Sequence, residues 1–281
     1  MCPPTPPVDN GAPTALATAE QVHDPHVVDA QLKPAFFDWL CRTGDTTLIL
    51  GHRLSEWCGH GPALEEDIAL TNIALDLIGH TQMWLGLAGK VEGEGRTADD
   101  LAYRRDAMKF RNILLVELPN QDMAITTMRQ FLFDAFHYEL LQRLLDSASP
   151  RVGEIAAKAL KEVSYHVERA ADLVIRLGDG STESHRRMQD ALDQLWSYTG
   201  DMFVSDEVDD TMAAADIAPR PDSLREAWLS RVREVLDEAT LTMPEDGYVH
   251  TGGKTGRHTE HLGYILAEMQ FLQRAYPDAS W

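Results

Sequence analysis

The chain has 281 residues, 44% of them apolar, and a formal net charge of −20 with a sequence pI near 4.8. That length supports a sizeable core, no run of about 18 apolar residues marks a membrane span, and the acidic balance argues against a nucleic-acid backbone or an anionic membrane as partner. The three cysteines, Cys2, Cys41 and Cys58, form no C-x-x-C, which removes zinc-ribbon and thioredoxin-like readings and fits a reducing cytoplasm.

Residues 1–28, opening MCPPTPPVDNGAPTALATAEQ, lack a charged start followed by an apolar stretch and do not read as a secretory signal. Their proline, small residues and low apolar density predict a disordered leader, followed by a single helical domain over residues 29–281. The first predicted helix covers residues 34–57. On it, Cys41 and Cys58 would stand about 25 Å apart, too far to pair. Pro62 opens the second helix, which runs to about Gly89 with Ile68, Ile73, Leu77, Met83 and Leu87 at steps of four to six. A polar stretch, KVEGEGRTADDLAYRRD, and an apolar patch, NILLVELPN, lead to a third helix capped by Asn120 and ending near Leu145. Ser149 and Pro150 start the fourth, and Gly178 ends it. A fifth spans residues 183–203, and Ser223 with Glu226 forms a capping box for the sixth. The last covers residues 258–276, with Leu262, Ile265, Leu266, Met269 and Leu272 on one face. No strand alternation or hairpin dipeptide interrupts this pattern. The expectation is an all-α fold, a four-helix bundle with additional C-terminal helices.

Each of the four long helices carries a carboxylate inside its apolar pattern: Asp45, Asp76, Asp134 and Glu162. In FLFDAFHYELL, Asp134 and His137 share one helix face. A di-iron carboxylate bundle needs Glu, Glu-x-x-His, Glu and Glu-x-x-His on its four helices, imidazoles holding the irons while carboxylates bridge them. Here Gly79 and Tyr165 stand three residues after Asp76 and Glu162. The one intact pair, Asp134/His137, lies on a helix that should give a lone carboxylate. His80 and His166 follow at four residues instead, and that extra step rotates a ligand by about 100° and lifts it by about 1.5 Å. Two readings follow. In one, Asp76/His80, Asp134/His137 and Glu162/His166 form a shifted site and the chain is itself an active di-iron carboxylate oxidase. In the other, these are remnant positions holding no metal, their buried charges paired with one another and with Lys161, Arg42 or Tyr165. The second is the expectation, with no catalytic residue and no cofactor in this chain.

HTGGKTGRHTEHL, residues 250–262, imitates the tail of a phosphate-binding loop, but Tyr248 occupies the position of the first glycine and no strand leads in. His258 and His261, one turn apart, read as a partly exposed helix start suited to a partner contact.

Four long blocks carry a resemblance: RLSEWCGHGPALEEDIALTNIALDLIGHTQ, LLVELPNQDMAITTMRQFLFDAFHYELL, AAKALKEVSYHVERAADLVIRLGDG and YVHTGGKTGRHTEHLGYILAEMQFLQRAYP. Together they resemble the C-subunit family of bacterial phenylacetyl-CoA 1,2-epoxidase, the ring monooxygenase of aerobic phenylacetate degradation, from about residue 31 to the C-terminus. The resemblance implies a ferritin-like fold and a structural role. It implies a homologous catalytic A subunit that holds the di-iron centre and binds the acyl-CoA. It also implies a reductase that feeds electrons from NADPH through FAD and an iron–sulfur cluster. On this reading the partner contacts involve the first long helices and the 252–261 loop, whose glycines allow close backbone approach and whose Lys254 meets an acidic group of the partner. A ferritin-like binding module without an enzyme partner is the third reading.

Overall fold

The computed structural model describes residues 30–245, 247–277 and 279. The expected leader lies outside the described residues. Four long helices dominate: α1 (Lys33–Ser55), α2 (Leu64–Glu92), α4 (Met123–Leu144) and α5 (Pro150–Gly178). Between α2 and α4 lies the short α3 (Ala98–Tyr103), and after α5 come α6 (Thr182–Thr199), α7 (Glu207–Ala214), α8 (Arg225–Glu238), α9 (Glu260–Met269) and α10 (Phe271–Ala275). α1 pairs with α2, α4 pairs with α5, and α2 against α5 joins the two pairs into a bundle; α6 and α8 cover α4. No strand occurs among the described residues.

Local sequence sets these boundaries. Pro150 occupies the first turn of α5, where its missing N–H costs nothing, and Val152, Ile155, Ala156, Ala159, Val163, Val167, Ala170 and Val174 then recur along its buried face. α2 ends on Gly93, whose φ of 76° lets the chain turn out of the helix. α4 is buried almost all round because α5, α6 and α8 enclose it, and Phe131, Leu132, Phe133 and Leu141 on it are 0–2% exposed. Burying each such side chain contributes about 1.5–3 kcal/mol.

The observed ends differ from the sequence expectation at several points. Asp122, not Asn120, caps α4, accepting from the Ile125 N–H at 3.0 Å; the Asn120 amide is committed to the Arg53 carbonyl at 2.7 Å. Ser223 donates to the Arg220 carbonyl within a 3-10 turn instead of boxing with Glu226. Cys58 lies beyond the end of α1, exposed, while Cys41 is buried. The last helix is broken at Gln270, whose amide bridges the carbonyls of Ala102 and Arg105 at 3.0 Å each. Two short helices, α3 and α7, add to the expected set, each opened by a capping box (Thr97/Asp100 and Asp206/Asp209).

Candidate functional site

The antiparallel seam between α2 and α5 is laced by three polar rungs. Glu66 pairs with Arg169. Nε2 of His166 lies 3.0 Å from an Asp76 carboxylate oxygen, and Nε2 of His80 lies 2.6 Å from one of Glu162. The four-residue spacing on each helix, run in opposite directions, makes each acid meet the other helix's imidazole. Both rings are fully buried, whereas the Asp76 and Glu162 side chains are 35% and 32% exposed. Burial pushes both imidazoles below their ordinary range, and the carboxylate contacts oppose the shift only in part. A carboxylate can only accept, so each ring donates from Nε2, leaving an Nδ1 that no protein atom meets.

α4 contributes the third imidazole. His137 stacks its edge near His80, with ring centroids 5.8 Å apart, and rests on Phe133 at 5.0 Å. Burial, with His80 and His166 nearby, holds it well below the ordinary histidine range. One turn before it, Asp134 accepts a 2.8 Å hydrogen bond from Gln130 and leaves its other oxygen unbonded. Burial raises this carboxyl well above the usual carboxylate range, against the Gln130 bond and the more distant Arg169. Asp134 and His137 do share a face, yet they do not bond to each other.

Asp45 belongs elsewhere. It is fully buried and gripped by the Arg105 guanidinium on both oxygens, one at 3.0 Å, and by the Arg111 N–H at 2.9 Å. This clamp ties α1 to the segment after α3. The expected alternative partners are not used: Arg42 binds Asp38, Asp206 and Asp209, while Lys161 and Tyr165 are exposed. Gly79, at the other i+3 position, faces open space. Among the described residues no three of His, Cys, Asp and Glu come together in an arrangement able to hold a metal ion.

The 252–261 loop is a strap on this chain's own surface. A Cβ on Gly253 would lie 2.2 Å from the Asn112 carbonyl, so glycine is required where the strap crosses that segment. Lys254 is buried, 2.9 Å from Asp209 and donating to the Val204 carbonyl, and is thereby withdrawn from any partner. His258, expected at a partly exposed helix start, is half-buried just ahead of α9, with its side chain only 6% exposed. It pins Glu117 at 2.6 Å through Nδ1 and the Phe110 carbonyl at 3.1 Å through Nε2. The fully buried Glu117 also accepts from Asn112 and from Thr259. The signal for this knot was a lone acid inside the apolar run NILLVELPN. The signal for Gln130 was its position four residues before Asp134.

A family model described as phenylacetic acid catabolic protein matches residues 20–281. The chain is also 46% identical over 240 residues to a protein of Escherichia coli (strain K12) named as the C-type subunit of 1,2-phenylacetyl-CoA epoxidase, covering 85% of this chain and 96% of that protein.

Proposed function

Because this chain belongs to the phenylacetic acid catabolic protein family, we propose that it is the structural, non-catalytic subunit of a multicomponent phenylacetyl-CoA 1,2-epoxidase. The observation that carries the reading is the 46% identity across nearly the whole of the Escherichia coli epoxidase subunit. Its proposed partner is a homologous catalytic A subunit with a di-iron centre, served by a reductase that uses NADPH, FAD and an iron–sulfur cluster. The proposed compartment is the cytoplasm; no helix among the described residues is long and apolar enough to cross a membrane.

The residues of this chain do not fit a di-iron centre. Gly79 and Tyr165 supply no ligand at the i+3 positions, His80 and His166 are taken by carboxylates of the opposite helix, and Asp45 is consumed by Arg105. A hydrogen bond across each rung joins α2 to α5 where a metal ion would otherwise do so. This argues against the alternative of a self-sufficient di-iron oxidase.

With Lys254 buried, the proposed contact narrows from the first long helices and the strap to α2. Leu64, Ile68, Leu75 and Ile78 are 72%, 52%, 62% and 36% exposed. Their spacing places them on one helix face, in line with Gly79 and Gly86, whose missing side chains leave room for a close neighbour. A stable contact between two bundles buries more than about 1,000 Å² with an apolar centre, and this stripe supplies such a centre. The test is co-expression with the A-type subunit, size-exclusion chromatography and a phenylacetyl-CoA oxidation assay with the reductase. Co-elution that Leu75→Glu abolishes supports the proposal. Separate elution, with full activity from the A-type subunit alone, would refute it.

A further inference from the structure

The chain carries six lysines at a net charge of −20, and three of them lie on the two helices of the seam. Lys90 sits in the last turn of α2, and Lys158 and Lys161 sit on α5. All three are exposed, and among the described residues none of them forms an ion pair. Lys158 and Lys161 stand three residues apart on one side of α5, and Arg151 precedes Lys158 by the seven-residue step that returns to that side. Lys158 borders the seam: its charge is near enough to the His80–Glu162 rung to disfavour a protonated His80. Arg151 and Lys90 both line a surface groove of about 210 Å³, together with Gln82 and Gly86. A Cβ on Gly86 would meet nothing within 4 Å, so the groove is open to a side chain from outside. The acids nearby are engaged: Glu154 offsets Arg151 at 2.8 Å, while Glu162 and Asp76 hold imidazoles. The lysines supply the net positive charge of this end of the face.

A strongly acidic chain repels an acidic partner at long range, but that field is screened beyond a Debye length of about 8–10 Å. Within that distance a local group of cations steers approach and fixes register. A second copy of this chain, docked face to face about a two-fold axis, would set these lysines against each other and be disfavoured. An acidic surface is the complement. Resting on the reading that α2 is the contact with the A-type subunit, we propose that the Gly79–Lys90 half of this face, with Lys158 and Lys161 beside it, is a cationic dock for an acidic segment of that subunit. Aspartate or glutamate side chains of the partner enter over Gly86 and meet Lys90, and Lys158 and Lys161 receive further acids along the seam. The apolar stripe supplies the dry centre of the contact, and the lysines supply the charged rim that orients it.

The test is the association rate of this chain with the A-type subunit, measured by surface plasmon resonance at roughly 20 mM and roughly 500 mM salt. Lys158→Glu with Lys161→Glu is compared with Lys109→Glu with Arg233→Glu, which changes the net charge equally at exposed positions after α3 and on α8. The expected result is association about tenfold slower for the first pair at low salt, shrinking to about twofold or less at high salt, with the second pair close to wild type. Equal rates for the two pairs, in a complex that Leu75→Glu still abolishes, would overturn the cationic dock and leave the α2 contact standing. A slowed first pair with Leu75→Glu harmless would support the dock and reject the apolar centre. No association of the wild-type chain at either salt would overturn both.

Discussion

Replacing Asp134 with asparagine should stabilise this protein, increasingly so as pH rises. The carboxyl is fully buried, receives one hydrogen bond, from Gln130, and has no cation in contact. Burial raises its folded-state pKa well above the ordinary value, with the Gln130 bond opposing. The unfolded chain releases this proton near pH 3.9, whereas the folded chain keeps it. The residue's contribution is thus complete below that pH and is lost progressively as pH rises toward the folded pKa, at about 1.4 kcal/mol per pH unit. Asparagine keeps an acceptor for Gln130 and cannot ionise. The two proteins should therefore match near pH 4 and separate by about 3 kcal/mol at pH 6 if the folded carboxyl still holds its proton there. For a chain of this size that gap is worth about 6–12 °C in melting temperature. Thermal melts of wild type and Asp134→Asn between pH 4 and pH 8 measure it. A variant that melts below wild type throughout, or a gap that does not widen with pH, would refute the reasoning and point to an ionised Asp134 with a charged partner.

Two further substitutions probe the buried clamps. Arg105→Ala should cost about 3–5 kcal/mol, because it strands the fully buried Asp45 with little but one backbone N–H; chemical denaturation measures it, and a loss under about 1 kcal/mol would show that the clamp is no more than a surface-like ion pair. Gly253→Ala forces a Cβ against the Asn112 carbonyl, whereas Gly247→Ala meets open space; hydrogen exchange should accelerate along residues 250–259 in the first variant and stay unchanged in the second, and equal behaviour would remove the close-approach argument.

The long helices are legible because each declares itself locally. Pro150 and the apolar repeat after it announce α5 without any knowledge of the rest of the molecule. The short α3 and α7 are not, because six- and eight-residue helices carry too little periodicity, and only their capping boxes mark them. Asn120 and Asp122 are both good caps; tertiary demand decides between them, since the Asn120 side chain is drawn to Arg53 and Arg129. The bundle-facing positions of Asp76, His80, Asp134, His137, Glu162 and His166 follow from helical spacing. Their cross-pairing does not, since it depends on the antiparallel register of α2 and α5. Asp45 misleads for the same reason: its apolar neighbours give its burial, but Arg105, sixty positions away, gives its role. His258 and Lys254 sit in polar local sequence, and only the fold brings Glu117 and Asp209 over them.

The proposed function has this chain supporting catalysis without performing it. Its most direct test is the rate of phenylacetyl-CoA epoxidation by the assembled complex when this chain carries Asp134→Asn together with His137→Gln. The proposed structural role predicts a rate within about twofold of the unmodified complex. A loss of about tenfold or more, with the complex still intact by size-exclusion chromatography, would contradict it and place chemistry in this bundle.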